Sequence, residues 1–242
     1  MKEVWAAMPT TEMLGRIATS TDRFVRTVTT LTDADIRGAT LVPPWTRGHV
    51  ITHVARAADS LCRLLTWART GVETPQYTGM DARAAEIEAG ARRPVDALVA
   101  DVLASAARFD DAVRSLPDAA WTYEVRMRTG EPRTPAALMV SRLRELEVHH
   151  ADLATGYTFA DIPPEAARWI IDDLVEAQRR RDGTPPLRIE ATDTGLSREL
   201  GSGGPTVRGS QADLLGWLTG RTGGATLTTT APGPVPDAPY WI

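Results

Sequence analysis

Cysteine and histidine are scarce in this chain of 242 residues, which has one cysteine and four histidines. A single cysteine excludes an internal disulfide and any metal site built from cysteine pairs. Basic residues are not in excess, because 27 lysines and arginines stand against 31 acidic residues and leave a net charge of −4. That balance argues against a protein that binds nucleic acid through its phosphate backbone.

Long apolar runs are missing as well. No stretch approaches the ~18 consecutive apolar residues that cross a bilayer, so no membrane partner is expected. The N-terminus lacks the charged and then apolar pattern of a secretory signal, which predicts a cytoplasmic protein. Hydrophobic residues make up 43% of the chain and charged residues 24%, as in ordinary globular proteins.

Helical periodicity dominates the first two thirds of the chain. Apolar residues recur at spacings of three, four and seven in four long segments, which are residues 14–31, 47–68, 94–116 and 135–153. Thr46 and Thr134 are suitable N-caps for two of them, and Pro94 fits the first turn of a third. Four such helices predict a four-helix bundle, to which we assign residues 1–160.

The pattern changes near Pro163-Pro164. A further helix, a strand at residues 187–192, glycine-rich turns, a helix capped by Ser210 and a last strand at residues 225–230 follow. Residues 161–242 therefore form a small predicted α+β domain, and the fold class is α+β, mainly α. The last aromatic residues, Tyr240 and Trp241, are expected to dock against the body.

The four histidines fall in two pairs, on the second and fourth predicted helices. Glu145 and His149 are four residues apart and therefore share a helix face. His53 borders the apolar stripe of its own helix, whereas His49 lies in the first turn. Two imidazoles and a carboxylate from facing helices, with a fourth position left open, are what a catalytic zinc ion requires. The alternative is that these are ordinary histidines at the edge of the core.

Asp152 and His150, which lie close to Glu145 and His149 in the sequence, bear on how this set of residues would bind a metal. Asp152 follows His149 by three residues and is placed to accept the second N–H of that imidazole. His150 is rotated by about 100° from His149 and should point away from the metal face. A fourth protein ligand from His49 or His150 would instead indicate a structural metal.

These residues also resemble known motifs. Residues 45–53 (WTRGHVITH) and 144–153 (RELEVHHADL) resemble the two metal motifs of DinB-like metalloproteins. Within that superfamily the chain is most similar to the mycothiol-dependent maleylpyruvate isomerases. Residues 81–90 (DARAAEIEAG), residues 214–221 (LLGWLTGR) and a C-terminal unit that resembles sterol-carrier-like domains favour this choice.

The resemblance implies a set of site residues. His53, Glu145 and His149 correspond to zinc ligands, and Arg221 corresponds to a catalytic arginine of the small domain. Arg83 is expected to bind mycothiol or the substrate. The alternatives are a helix-capping arginine at position 221 and a solvated arginine at position 83.

The family implies Zn²⁺ and mycothiol as cofactors, and conversion of maleylpyruvate to fumarylpyruvate in gentisate catabolism. Reversible addition of a thiol to the cis double bond leaves a single bond that can rotate, and elimination then gives the trans isomer. Zinc favours the thiolate, and arginines suit the two carboxylates of the substrate. Cys62 lies nine residues beyond His53, roughly 13 Å along the same predicted helix, so the thiol must come from outside.

Two other functions stay open at this point. A mycothiol S-transferase would conjugate electrophiles with the same metal and fold, and a non-catalytic protein would hold a small ligand around a structural metal. Nickel or iron would fit two histidines and a glutamate almost as well as zinc. The expected partners are a small-molecule substrate and a low-molecular-weight thiol, and the chain is expected to be a monomer.

Overall fold

The computed structural model describes residues 9–239, and the chain divides into two compact units between Tyr157 and Thr158. Within the described range, no helix is both long enough and apolar enough to cross a membrane. Tyr240 and Trp241, which the sequence predicts to dock against the body, lie outside the described residues.

The N-terminal unit consists mainly of helices. They are α1 (Thr10–Thr29), α2 (Arg47–Thr70), α3 (Met80–Gly90), α4 (Val95–Arg114) and α5 (Pro135–Asp152). Both α1 and α2 contact α4 and α5, so the four long helices form the predicted bundle, while the short α3 packs on α2. The mainly helical α+β fold class is confirmed.

The helix ends follow local sequence signals. Thr46 and His49 form a reciprocal capping box at the start of α2, and Gly71 ends that helix in a left-handed conformation with φ 71°. Pro135 is the first residue of α5, where its missing N–H costs nothing. The predicted starts of these helices therefore agree with the structure.

The bundle is held together by one buried apolar face on each long helix. Its largest side chains, all at most 1% exposed, include Phe24, Ile51, Leu64, Leu98 and Leu143. Complete burial of such a side chain contributes about 1.5–3 kcal/mol to folding. The core thereby fixes α2 and α5 side by side, which sets the relative positions of their histidines.

Two glycines allow the region around α3 to approach α2 closely. A Cβ atom at Gly48 would lie 2.0 Å from the carbonyl oxygen of Ala91, and one at Gly90 would lie 2.3 Å from Cγ2 of Thr52. Both contacts require glycine because the space is already filled. They hold α3 against the turn of α2 that carries His53.

A short antiparallel ribbon lies between α4 and α5. Its strands are β1 (Val125–Arg126) and β2 (Pro132–Arg133). Residues 121–127 alternate in polarity before the Thr129-Gly130 turn, a pattern typical of a short ribbon. In the structure the ribbon starts only at Val125, because Asp118–Thr122 form a 3-10 turn.

The C-terminal unit combines two helices with a small sheet. Its elements are α6 (Pro164–Arg179), β3 (Leu187–Ala191), β4 (Ser197–Leu200), β5 (Thr206–Gly209), α7 (Gln211–Leu218) and β6 (Thr228–Thr229). The strand order is β4-β3-β5-β6, with β3 and β5 parallel and the other pairs antiparallel. Helix α6 contacts α7 and β4, which completes the core of this unit.

Two of these strands were not predicted. Both β4 and β5 have four residues, and each buries one large apolar side chain, Leu200 and Val207 respectively. An alternation of apolar and polar residues over only four positions is too short to be recognised as a strand next to a glycine-rich turn. The last strand is also shorter than residues 225–230, because pairing with β5 covers only Thr228–Thr229.

Candidate metal centre

The side chains of His53, Glu145 and His149 meet between α2 and α5. Nε2 of His53 lies 3.0 Å from Oε2 of Glu145, and Nε2 of His149 lies 3.2 Å from the same oxygen. The two imidazole rings stand edge to face, with their centroids 4.6 Å apart. The three residues that sequence spacing and resemblance selected thus share one spot.

This donor set fits a metal ion such as zinc. One ligand atom from each residue lies within 4.8 Å of the other two. Ligand atoms about 2.0–2.1 Å from a tetrahedral zinc ion are roughly 3.3 Å apart, close to the two measured separations. Two nitrogens and one oxygen also suit the chemistry of zinc, so the residues present fit the ion.

Burial and hydrogen bonding shift the pKa values of all three groups. Burial lowers the pKa of His53 to about 4, which leaves the imidazole neutral. Burial also opposes the charged forms of Glu145 and His149, but hydrogen bonds outweigh it in both. The pKa of Glu145 falls well below its usual value through His149 and His53, and the pKa of His149 rises through Asp152 and Glu145.

Asp152 holds His149 from behind. Its carboxylate Oδ2 lies 2.7 Å from Nδ1 of His149, and the residue is completely buried. The backbone N–H of Leu41 donates to the carbonyl oxygen of Asp152, which ties this end of α5 to the loop before α2. The supporting carboxylate inferred from the spacing is therefore in place, and it directs Nε2 of His149 toward Glu145.

Two arginines on α5 place positive charge beside Glu145. Nη2 of Arg144 lies 3.5 Å from Oε1 of Glu145, the oxygen that the histidines leave open. Arg142, one turn before Glu145, is fully buried and donates from Nη1 to the carbonyl oxygen of Val54. Sequence reasoning missed both, because a buried arginine has the same sequence signal as a solvated one.

The other two histidines lie apart from this cluster. Nδ1 of His49 accepts from the backbone N–H of Thr46, and its Nε2 lies 2.9 Å from Oε2 of Glu88. His150 stacks on Tyr157 and lies 2.7 Å from the hydroxyl of Thr27. Among the residues that the structure describes, the cluster has no fourth histidine, cysteine or acidic residue.

Three residues form the mouth of the cluster. Nη2 of Arg83 donates to Nδ1 of His53 over 3.3 Å, and the guanidinium lies 5.5 Å from the ring centroid of Tyr77 and 5.9 Å from that of Trp45. The Trp45 ring also packs on His53, with centroids 5.2 Å apart. The sequence places Trp45 only within the motif of residues 45–53 and does not single out Tyr77, which lies in a loop without a recognisable pattern.

Cys62 does not provide a nucleophile. Burial raises the pKa of its thiol to about 11, so the thiolate is almost absent at neutral pH. The side chain is half-buried on α2, two turns beyond His53. This agrees with the expectation that any reacting thiol comes from outside.

Arg221 belongs to the C-terminal unit, just after α7. Its Nη1 donates to the carbonyl oxygen of Thr219, which fits the helix-capping alternative. It also lines a cavity of about 490 Å³ together with Trp217, Thr222 and Asp237. The side chain thus caps a helix and faces a cavity within its own unit.

The fold and the cluster define the class of the protein: a four-helix bundle with a candidate metal site of two histidines and a glutamate from facing helices. Residues 17–154 match the family model of the mycothiol maleylpyruvate isomerase N-terminal domain, and residues 158–239 match the model of the C-terminal domain of the same proteins. The chain therefore belongs to the mycothiol-dependent maleylpyruvate isomerase family.

Solved structures agree with this assignment. The chain is similar to the crystal structure of a mycothiol-dependent maleylpyruvate isomerase, with 30% sequence identity, a TM-score of 0.86, and coverage of 98% of this chain and 99% of the other. A mutant of a mycothiol-dependent maleylpyruvate isomerase in which a histidine is replaced by alanine gives the same identity, TM-score and coverage. A comparison with curated proteins finds no match.

Proposed function

We propose that this protein converts maleylpyruvate to fumarylpyruvate, with mycothiol as thiol cosubstrate and a zinc ion held by His53, Glu145 and His149. The observation that carries the proposal is the buried three-residue donor set, with an arginine at its mouth, in a chain of this family. A bound zinc ion would supply positive charge that favours the thiolate form of a thiol.

The three proposed ligands are prepared for a metal in different ways. His53 is neutral at pH 7, as a metal ligand must be. Glu145 is ionised and offers an oxygen to both histidines. Asp152 accepts from Nδ1 of His149 and keeps Nε2 of that ring turned toward Glu145. Together they form a pocket of fixed geometry for a divalent cation.

Arg83 is proposed to bind an anionic group of the substrate or thiol. In the structure it donates to Nδ1 of His53, whose Nε2 in turn donates to Glu145. A neutral imidazole that binds a metal through Nε2 carries its hydrogen on Nδ1, so Arg83 then loses this acceptor. Its planar guanidinium becomes available for a carboxylate, which it can bind through two hydrogen bonds.

Arg221 is proposed as a second cation for the dianionic substrate. The support is the LLGWLTGR motif at residues 214–221 and the cavity that Arg221 lines in its own unit. The division of the active site between residues 1–160 and a contribution from residues 161–242 is part of the same proposal. A cytoplasmic location, a monomeric state and a place in gentisate catabolism also stay predictions.

The fate of the thiol tests the reaction type. The zinc-loaded protein is incubated with maleylpyruvate and mycothiol, and the mixture is followed by mass spectrometry. The proposal predicts fumarylpyruvate with mycothiol recovered unchanged. A thioether of mycothiol that accumulates in proportion to consumed substrate would contradict it and indicate an S-transferase. Arg69→Ala, a substitution of an exposed residue near the end of α2, serves as the control for losses of activity during preparation of the protein.

The non-catalytic alternative receives no support from the cluster. A structural zinc ion has four protein ligands, but His49 is paired with Glu88 and His150 with Thr27 and Tyr157. Over residues 9–239, three residues make up the only group of candidate metal ligands. A metal ion held by these three residues would have a coordination position available for a reacting molecule.

A further inference from the structure

His49, in the first turn of α2, makes two hydrogen bonds at once. The backbone N–H of Thr46 donates to its Nδ1 over 3.2 Å, and its Nε2 lies 2.9 Å from Oε2 of Glu88 on α3. A backbone N–H can only donate, so Nδ1 is an acceptor and Nε2 carries the hydrogen that Glu88 accepts. The side chain therefore caps α2 and also ties α3 to it.

Capping boxes normally carry glutamate or glutamine at the helix position where this chain has His49. A glutamate there would accept from the N-cap backbone equally well. It would have no hydrogen to donate to Glu88, however, and its charge would repel that carboxylate. The cap alone thus does not explain why a side chain that also donates stands at this position.

Helix α3 has few apolar contacts that hold it to the bundle. It has 11 residues, of which only Ile87 and Gly90 are buried, and its N-cap residue, Gly79, makes no side-chain hydrogen bond. A helix of this length is marginal in water without tertiary contacts. The hydrogen bond from α2 to Glu88 therefore has a larger share in holding α3 than it would have for a well-buried helix.

The position of Arg83 depends on how α3 is held. The buried residues of α3 lie near its C-terminal end, whereas Arg83 lies near its start and donates from Nη2 to Nδ1 of His53. Rotation of α3 about its own axis would carry the guanidinium away from the imidazole. The bond that Glu88 accepts from α2 restrains this rotation, because it holds a side chain that extends away from the helix axis.

We propose that His49 is a positioning residue, which acts through Glu88 to hold α3 so that Arg83 stays beside His53 and can bind an anionic group of the substrate. The inference rests on the proposed function, because it takes Arg83 as the residue that binds this group. The competing explanation is that His49 only caps α2. Glutamate and glutamine at position 49 would then be equivalent.

Two substitutions of nearly identical shape separate the bond from the cap. His49→Gln keeps an acceptor for Thr46 and a donor for Glu88, whereas His49→Glu keeps the acceptor and repels Glu88. Both lose the ring that lies nearly parallel to Trp45, so their difference reports on the bond to Glu88. A negative charge in the first turn also stabilises a helix, so weaker capping would not explain a loss in His49→Glu.

Hydrogen exchange of the full-length protein measures how firmly α3 is held without any ligand. We expect the amides of residues 80–90 to exchange about three- to fivefold faster in His49→Glu than in His49→Gln, with residues 135–152 unchanged. The expected ratio is modest, because the Glu88 side chain is 56% exposed and exposed pairs contribute little.

A control and a rescue accompany this measurement. Ala89→Glu adds the same charge on the exposed face of α3, and its amides should exchange as in the wild type. Glu88→Lys combined with His49→Glu restores a pair of opposite charges, and the slow exchange of residues 80–90 should return. Failure of this rescue would show that the loss in His49→Glu has another cause.

Kinetics then test whether the hold on α3 acts through Arg83. We expect His49→Glu to have a KM for maleylpyruvate about three- to fivefold above that of His49→Gln, with the same kcat and the same zinc affinity. On an Arg83→Ala background the two variants should share one KM, because their route to the substrate is removed. An equal KM ratio with and without Arg83 would overturn the proposal.

The outcomes separate this inference from the function on which it rests. If His49→Glu and His49→Gln agree in hydrogen exchange, His49 is a cap alone and the inference is wrong, whatever the protein catalyses. If exchange differs and KM does not, His49 holds α3 without positioning Arg83, which also refutes it. If the wild type forms no fumarylpyruvate, the proposed function fails and the role of Arg83 fails with it, while exchange still decides whether His49 holds α3.

Discussion

Asp152 shows how one residue sets the properties of the proposed site. It is fully buried, and its carboxylate accepts from Nδ1 of His149, which fixes the ring and raises the pKa of the imidazole despite its burial. The partner of a metal-binding histidine makes the imidazole a better ligand and keeps its nitrogen aimed. Asp152 should therefore affect both the affinity of the proposed site for a metal and the pH dependence of that affinity.

Removal of the charge of Asp152 should lower the affinity of the proposed site for zinc but should not abolish binding. Asp152→Asn keeps the shape of the side chain, and we expect zinc affinity to fall by about 10–100-fold, the usual effect of losing such a partner. Titration of the apo protein with zinc in the presence of a competing chelator measures this. Asp111→Asn, an exposed change on α4, is the control and should leave the affinity unchanged.

Zinc affinity should also decrease as the pH falls. Burial lowers the pKa of His149, but hydrogen bonds to Asp152 and Glu145 raise it overall, so a proton competes with zinc for Nε2 in the metal-free protein. His53 does not compete in this range, because its pKa is about 4. Calorimetry between pH 8 and pH 6 should show weaker zinc binding at low pH, together with release of a proton when zinc binds. A constant affinity over this range would refute the assignment of His149 as a ligand.

The proximity of the three proposed metal ligands was predictable because it follows from helix geometry. A spacing of four residues places Glu145 and His149 on one face whatever the rest of the fold does, and the apolar stripe of α2 orients His53. Trp45 and Tyr77 were not identified as parts of the mouth, because their positions depend on how the segments that flank α2 fold back on it. Such contacts between distant segments leave no periodic signal in a sequence.

At the scale of helices, the approach of α3 to α2 places Arg83 beside His53. The approach depends on Gly48, whose Cβ position is occupied by the carbonyl oxygen of Ala91 at 2.0 Å. Backbone cannot move aside as easily as the end of a side chain can. The helix pair is therefore sensitive to a single methyl group.

We expect Gly48→Ala to destabilise the protein and to displace α3. Overpacking of this kind costs about 1–3 kcal/mol, measured as the loss in free energy of unfolding in urea. Gly15→Ala on α1 is the matched control, because no atom lies within 4 Å of its Cβ position. It should stabilise the protein by about 0.5–1 kcal/mol through helix propensity. Equal effects of the two substitutions would show that the close contact does not matter.

The elements themselves were predicted unequally. The long helices of the bundle were found with nearly correct bounds, since each has several turns of apolar repeats and three of them have a start signal at Thr46, Pro94 or Thr134. In the C-terminal unit β3 and α7 were found, but β4 and β5 were not, because a strand with one buried apolar residue has no alternation to detect. Short strands depend on their neighbours in the sheet more than on their own sequence.

At the scale of the whole molecule, the proposed reaction needs the proposed metal ligands of the N-terminal unit and Arg221 of the C-terminal unit. The two units match the two domain models of one family over residues 17–154 and 158–239. Arg221→Ala should lower the isomerisation rate while zinc binds as tightly as in the wild type. His53→Ala should abolish both isomerisation and zinc binding, because it removes one of three proposed ligands.

The most direct measurement is the rate of fumarylpyruvate formation by the zinc-loaded protein as mycothiol is varied. We expect turnover that saturates with mycothiol, stops on addition of a chelator and returns with zinc, and that is lost in His53→Ala and lowered in Arg221→Ala. Turnover that is independent of mycothiol, or no turnover with one zinc ion bound per chain, would contradict it.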